Sequence, residues 1–304
     1  MPVFIKQLNG MKITDWAIIV LFIVLIAMLP SFTVDADMNI TQSYSVDSLG
    51  ACQGVSKQGD NIFLYGDREA GIIRTYKIEN DSLVYQHKEI KLTINDTDVI
   101  NHPTGIAYHG KNPVFIGNSI RLNAAGTLWR AVIYCVDWKG LQHTGTLDGN
   151  LINTIDDDTC IQGTRPEYVK YKSKWYVATA DYGDKANEVR LYNPAALAKA
   201  KKTSEKGVQY KKFTCSPWVQ NLYWMANKGC LVLIQNQIEG RRWRFTYVDL
   251  EKSVAAGKQV VIKSVDVDRA DELEGFTFLN QQYKTGIAVT SSRKNNVNRV
   301  NVKW

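Results

Sequence analysis

Five side chains able to hold a ligand or a cation stand at matched places in a repeated phrase: Gln53, Thr104, Glu167, Gln220 and Glu274. A second set, Asp67, Asn118, Asp181, Asn236 and Ser292, ends the strand that follows in each copy. Strand ends held by a rigid scaffold are where binding groups usually sit. A solvated turn needs no particular residue, so recurrence of polar side chains is the signal. Carboxylates and amides suit a hard cation such as calcium, which takes 6–8 oxygen ligands, better than they suit zinc. Glu274 and Glu167 are the expected metal ligands. A carboxylate pair would also serve hydrolysis of a glycoside, which needs an acid and a second carboxylate, or of a lactone or ester. The competing reading is that these groups satisfy backbone atoms, or hold water, where strands converge.

Other chemistries find little support. No Ser-His-Asp spacing, nucleophile elbow or phosphate loop is present. Of four histidines, His102 opens a repeat and precedes Pro103, which a capped turn explains as well as a catalytic base does. Cys52, Cys135, Cys160, Cys215 and Cys230 show no zinc spacing, and their odd number leaves one thiol unpaired. Cys160 and Cys215 precede the opening strands of neighbouring copies, so they are either a disulfide or two separate thiols. Asp156, Asp157 and Asp158 read as a solvated loop. The basic stretch from Lys199 to Lys212, with Arg241, Arg242 and Arg244, reads as a charged face and not as a nucleic-acid site. Sequons begin at Asn39, Asn80 and Asn95 and matter only where exported chains are glycosylated.

The elements that position the polar residues come from a pattern recurring about every 50 residues. The copies open CQGVSKQGDNIFLYGD at Cys52, HPTGIAYHGKNPVFIGN at His102, RPEYVKYKSKWYVATAD at Arg165, PWVQNLYWMANKGCLVLIQN at Pro217 and ELEGFTFLNQQYKTGIAVTS at Glu272. Each reads as strand, polar turn, strand. A third strand follows: IIRTYKI, RAVIYCVDW, EVRLYNP, RRWRFTYVDL or NRVNVKW. Fourth strands are expected at SLVYQHKEIKL, LQHTGTLD, GVQYKKFTC and KQVVIKSVDV, and the fifth copy ends without one. Ile40 to Leu49 is a spare strand that would complete it, closing a ring of sheets and removing the open edge. Ala195 to Lys202 and Leu250 to Ala256 are short helix candidates. Composition agrees, with 8 Trp and 15 Tyr against 7 Pro, a load typical of sheets. The expectation is an all-β propeller of five blades over residues 38–304. Long stretches at Asp96–Asn101 and Asp148–Cys160 would admit a sixth.

The phrases HPTGIAYHG and ELEGFTF resemble the blade openings of the lactonase-like and NHL-like β-propeller superfamily. That resemblance implies blades around a central channel, with calcium or a substrate pocket at one mouth. Asp-box, WD, Kelch and YWTD signatures are absent, so no subfamily's reaction transfers.

Ahead of the repeats, Trp16 to Leu29 reads WAIIVLFIVLIAML, and the apolar run extends to Val34. That approaches the ~20 residues a membrane-spanning helix needs. Lys6 and Lys12 precede it while Asp35 and Asp37 follow, which puts residues 1–14 in the cytoplasm and the propeller outside. Residues 15–34 are either a transmembrane anchor or a cleaved signal, the protein being single-pass in the first case and secreted in the second. The functional expectation is an exported, membrane-anchored, monomeric propeller that binds a small molecule, glycan or protein at its channel mouth. The alternative is a calcium-assisted hydrolase. Net charge is +7, which leaves anionic partners open, but export argues against nucleic acid.

Overall fold

The computed structural model describes residues 37–67, 69–160, 162–236 and 242–303. The apolar segment at 15–34 lies outside them, and no described helix is long and apolar enough to cross a membrane.

The chain forms a five-bladed β-propeller. Strand β1 (Met38–Tyr44) belongs to the last blade. Blade one comprises β2 (Cys52–Gln58), β3 (Asn61–Asp67), β4 (Gly71–Glu79) and β5 (Ser82–Lys91), in that order from the axis outward. A small hairpin, β6 (Thr93–Ile94) and β7 (Thr97–Asp98), fills the long connection where a sixth blade had room to start. Blade two is β8 (Pro103–Ala107), β9 (Val114–Arg121), β10 (Trp129–Val136) and β11 (Leu151–Asp156). Blade three is β12 (Glu167–Tyr171), β13 (Lys174–Ala180), β14 (Glu188–Tyr192) and β15 (Gln209–Thr214). Blade four is β16 (Val219–Met225), β17 (Cys230–Asn236), β18 (Trp243–Asp249) and β19 (Val261–Val267). Blade five is β20 (Leu273–Phe278), β21 (Thr285–Thr290) and β22 (Val297–Val302), completed by β1. Met38 pairs with Val302 and Tyr44 with Val297, antiparallel, so the spare N-terminal strand closes the ring.

The fourth strand of blade two differs from expectation. Its expected segment, Leu141 to Asp148, contributes instead to a helix and the turn after it. The Asp137 carboxylate accepts from the Gly140 N–H and starts helix α1 (Trp138–Thr144), and Gly145 ends it in the left-handed conformation. Helices α2 (Pro194–Leu197) and α3 (Leu250–Ala256) occupy the same place in blades three and four, capped by Asn193 and Asp249. Each insert reaches back to the outer strand of the preceding blade. The Lys91 N–H donates to Gly145 O at 2.8 Å, Asp156 N–H to Lys201 O at 2.9 Å, and Thr214 N–H to Gly257 O at 3.1 Å.

Seams between blades hold the apolar core, as expected of sheets that bury both faces. Phe63 and Tyr134 share the seam of blades one and two, Phe115 and Tyr192 that of two and three, and Phe213 and Leu231 that of three and four. Phe245 meets Phe276 edge-on at 5.0 Å between blades four and five, and Leu64 shares a cluster with Val289 between five and one.

Candidate functional site

All five inner strands, β2, β8, β12, β16 and β20, run the same way along the axis, so residues that begin them gather at one mouth. In four of the five, the pairing slips by one residue near the start: between Cys52 and Gly54, Pro103 and Gly105, Val219 and Asn221, and Leu273 and Gly275. The extra residue of each bulge is Gln53, Thr104, Gln220 or Glu274. A β-bulge re-aims the side chain it carries, which explains why the sequence keeps a polar residue there although the strand itself is buried. All four are buried.

Strand β12 pairs without a slip, Glu167 facing Ala178 in regular register. Glu167 therefore stands one step further along the axis, four residues before the end of its strand at Tyr171, as Gly54 stands before Gln58. It lines a different cavity from Glu274. Blade three brings Arg165, and Tyr182 from the end of β13, to the first mouth.

That mouth is a cavity of about 310 Å³ lined by Gln53, His102, Arg165, Tyr182, Gln220, Glu272 and Glu274, among others. Arg165 is 4% exposed. Its Nε donates to Gln220 O at 3.2 Å, Nη2 to Gln220 Oε1 at 3.0 Å and Nη1 to Gln162 O at 3.1 Å, and its guanidinium lies 5.1 Å from the centre of the Tyr182 ring. Every one of these hydrogen-bond partners is neutral. Burial lowers its pKa, against the opposing influence of Glu274 and Asp181. The Gln220 amide links it to Glu272, whose Oε1 accepts from Gln220 Nε2 at 3.3 Å and from Asn236 Nδ2 at 3.4 Å. A buried cation held by neutral dipoles beside two carboxylates can grip a small polar molecule at both of its charged or polar ends.

The second set of polar residues is taken up mainly by the protein itself. Asp67 Oδ1 accepts from the Ala51 N–H at 2.9 Å and Oδ2 from Gln53 Nε2 at 3.1 Å, with His102 Nδ1 at 3.3 Å. Asn118 Oδ1 accepts from the His102 N–H, and Asn236 Oδ1 from the Leu273 N–H, both at 2.9 Å. Asp181 is fully buried in a two-pronged pair with Arg190, both contacts at 3.0 Å, and also accepts from the Glu188 N–H. Ser291 lines the mouth, not Ser292. Thr104 donates to Thr164 O. Among the described residues, no three His, Cys, Asp or Glu side chains come together as a metal site.

One further placement differs from the reading of the sequence, and the cysteines take the second of its two alternatives. Asp157 is not a solvated loop residue: it is 1% exposed and accepts from Tyr192 Oη at 2.9 Å and Thr203 Oγ1 at 2.8 Å. All five cysteines are free thiols.

Between this mouth and the other end of the axis the ring narrows to a waist. A β-carbon on Gly275 would lie 2.8 Å from Gly54 Cα, and one on Gly54 would lie 2.2 Å from the Tyr65 ring. The Tyr65 ring thus takes the space in front of Gly54, and its hydroxyl accepts from Asn221 Nδ2.

The sequence pointed to Glu274, Gln53 and Gln220 at this mouth, but not to Arg165 in its place or to Glu272.

No family model and no curated protein matches the chain. Among solved structures, the glutaminyl cyclase of Myxococcus xanthus is similar with a TM-score of 0.53 at 11% identity, over 87% of this chain and 97% of that one. The WD40 repeats of RRP9 follow at 0.45 and 7% identity, over 88% and 98%, and U3-55K at 0.44 and 7%, over 88% and 98%. At 11% identity the first of these speaks to the fold alone.

Proposed function

We propose that the protein is a ligand-binding propeller, exported and anchored by its N-terminal apolar segment, whose site is the mouth around Arg165, Glu272 and Glu274. The observation that carries this reading is the buried Arg165 guanidinium at the wall of a cavity, whose hydrogen-bond partners among the described residues are all neutral. Burying a cation without an ionic partner is costly, and a ligand carboxylate or phosphate would offset that cost. Glu272 and Glu274 in the same cavity favour a ligand that also carries an amine or hydroxyls. The preferred ligand is therefore small and bifunctional, one end anionic and the other a donor.

The test is a thermal-shift and calorimetric screen of the full chain against amino acids, hydroxy acids and phosphorylated small molecules, with calcium and chelator arms. Arg165→Met should abolish binding of the anionic end, and Glu274→Gln should weaken that of the donor end, each melting within a few degrees of the parent. A panel that shifts neither the parent nor the variants overturns the reading.

A second reading, hydrolysis of a lactone, ester or glycoside, draws on the two carboxylates sharing one mouth. Turnover of such substrates that Glu272→Gln or Glu274→Gln removes would favour it. Calcium dependence of that turnover would add the cation. Glu167 and Glu274 line separate cavities and do not supply its ligands together.

A further inference from the structure

Beyond Arg165, the first mouth holds a second cation. Arg121, the last residue of β9, is exposed and lines the same cavity. Its guanidinium lies 5.1 Å from the centre of the Trp129 ring, which belongs to its partner residue across the hairpin. Among the described residues it makes neither a hydrogen bond nor an ion pair. Strand alternation puts its side chain on the same face as Ser119, two residues earlier. A β-carbon on Gly163 would meet both Ser119 Oγ and Arg165 Nη1, so Ser119 and the Arg165 guanidinium are neighbours. The two arginines therefore belong to one wall, Arg165 deep and Arg121 one strand repeat, about 7 Å, nearer the rim.

The other charged and titratable side chains on this lining are His102, Glu272 and Glu274. His102 Nδ1 faces Asp67 Oδ2 at 3.3 Å, and Glu272 is reached from Arg165 through the Gln220 amide. Glu274 is close enough to Arg165 to oppose the effect of burial on it. The mouth thus has a deep guanidinium beside two carboxylates, and a second guanidinium further out. An α-amino acid carries a carboxylate and an ammonium on one carbon, which suits the deep groups. With those two ends engaged, its side chain points toward the rim. There the planar fork of Arg121 matches a second carboxylate or a phosphate.

We propose that the ligand of this mouth is an α-amino acid with an anionic side chain, its α-carboxylate on Arg165 and its side-chain anion on Arg121. The inference rests on the binding function proposed above and names a class of ligand for it. A cavity of about 310 Å³ is at the small end of ligand pockets, which suits a molecule of that size. The cavity beyond the waist, of about 360 Å³, shares no lining residue with this one and has Lys57, Tyr108, Trp175, Tyr223 and Phe276 on its walls.

The experiment is calorimetric titration of the purified full chain with three matched pairs: glutamate against glutamine, aspartate against asparagine, and phosphoserine against serine. In at least one pair the acidic member should bind about fivefold more tightly, the scale of a partly exposed ion pair. Arg121→Met, at an exposed position, should melt with the parent. It should cut the preference to less than about twofold and leave the neutral member's affinity unchanged. Arg165→Met should abolish binding of both members. Tyr108→Ala, in the other cavity, should change nothing, and a preference lost there would overturn the assignment to this mouth. Neutral members that bind as tightly as the acidic ones in every pair, or a preference that survives in Arg121→Met, would overturn the inference and leave the binding function standing. Binding of neither member of any pair would overturn it as well. Hydroxy acids or phosphorylated compounds bound through Arg165 would then show that the mouth is a site for another ligand.

Discussion

The side-chain amide of Asn221 lies 3.4 Å from the Tyr65 hydroxyl, so blade four touches blade one across the axis, 156 residues apart in sequence. The same amide lies 3.4 Å from Thr104 O. With Gly54 and Gly275, this contact divides the axis into two cavities of different chemistry.

The waist sets the first prediction. At Gly275 a methyl group would meet backbone, which cannot swing aside as a side chain can. Gly275→Ala should cost about 2–3 kcal/mol, in the range of overpacked cores. Asn221→Ala removes hydrogen bonds without a clash and should cost about 1–2 kcal/mol. Urea denaturation of both variants checks the order.

Closure of the ring sets the second. Strand β1 supplies the outer strand of blade five, and Ser43 Oγ donates to Asn298 Oδ1 at 2.7 Å within that pairing. Removing residues 38–45 bares the edge of β22. The variant should lose its single cooperative melt and associate through the open edge. Circular dichroism and size-exclusion chromatography read the two effects.

The third prediction concerns Asp181, which the sequence suggested as a ligand group and the structure uses as an internal ion-pair partner. Arg190 is 4% exposed on its side chain and holds Glu188 as well, at 3.0 Å. Arg190→Met leaves a fully buried carboxylate without its partner and should cost about 3–5 kcal/mol. Adding Asp181→Asn should recover part of that loss, which a double-mutant cycle would measure.

Glu167 gives the fourth. Its pKa is raised from 4.5 to about 8 in the folded chain. Between those values the folded protein holds a proton that the unfolded chain has released, so stability falls as pH rises through this window. The contribution is fully present below about pH 4.5 and lost above about pH 8, with a slope of at most about 1.4 kcal/mol per pH unit. Glu167→Gln should flatten that part of the profile. A parent-minus-variant difference that does not change between pH 5 and pH 8 would contradict it.

Alternating strands, repeated phrases and one spare strand were enough to read five blades and their closure, because each is a local pattern with a period. What escaped depended on a single residue more or less. Glu167 matches Glu274 by phrase, yet β12 lacks the bulge that turns Glu274 into the mouth, and a bulge leaves no mark in composition. Leu141 to Asp148 alternates well enough for a strand, but the Asp137 cap and Gly145 make its first half helical. Asp157 sits in a run of three acids that looks solvated, and only the distant Tyr192 and Thr203 hydroxyls draw it inside. Arg165 was legible as a residue but not as a position.

The helical inserts clip the outer strands of blades one, two and three to their successors through main-chain hydrogen bonds. Among the described residues, β19 and β1 have no such clip to the next blade. Charged side chains span those two seams instead: Lys263 reaches Asp37 at 2.9 Å, and Arg299 reaches Asp81 at 2.6 Å. Main-chain bonds are indifferent to dissolved ions, whereas exposed pairs are screened as the Debye length shrinks from about 8 Å at physiological ionic strength to about 3 Å at 1 M. Blade five is therefore the buckle of the ring, and high ionic strength would slacken it there while the other three joints stay shut.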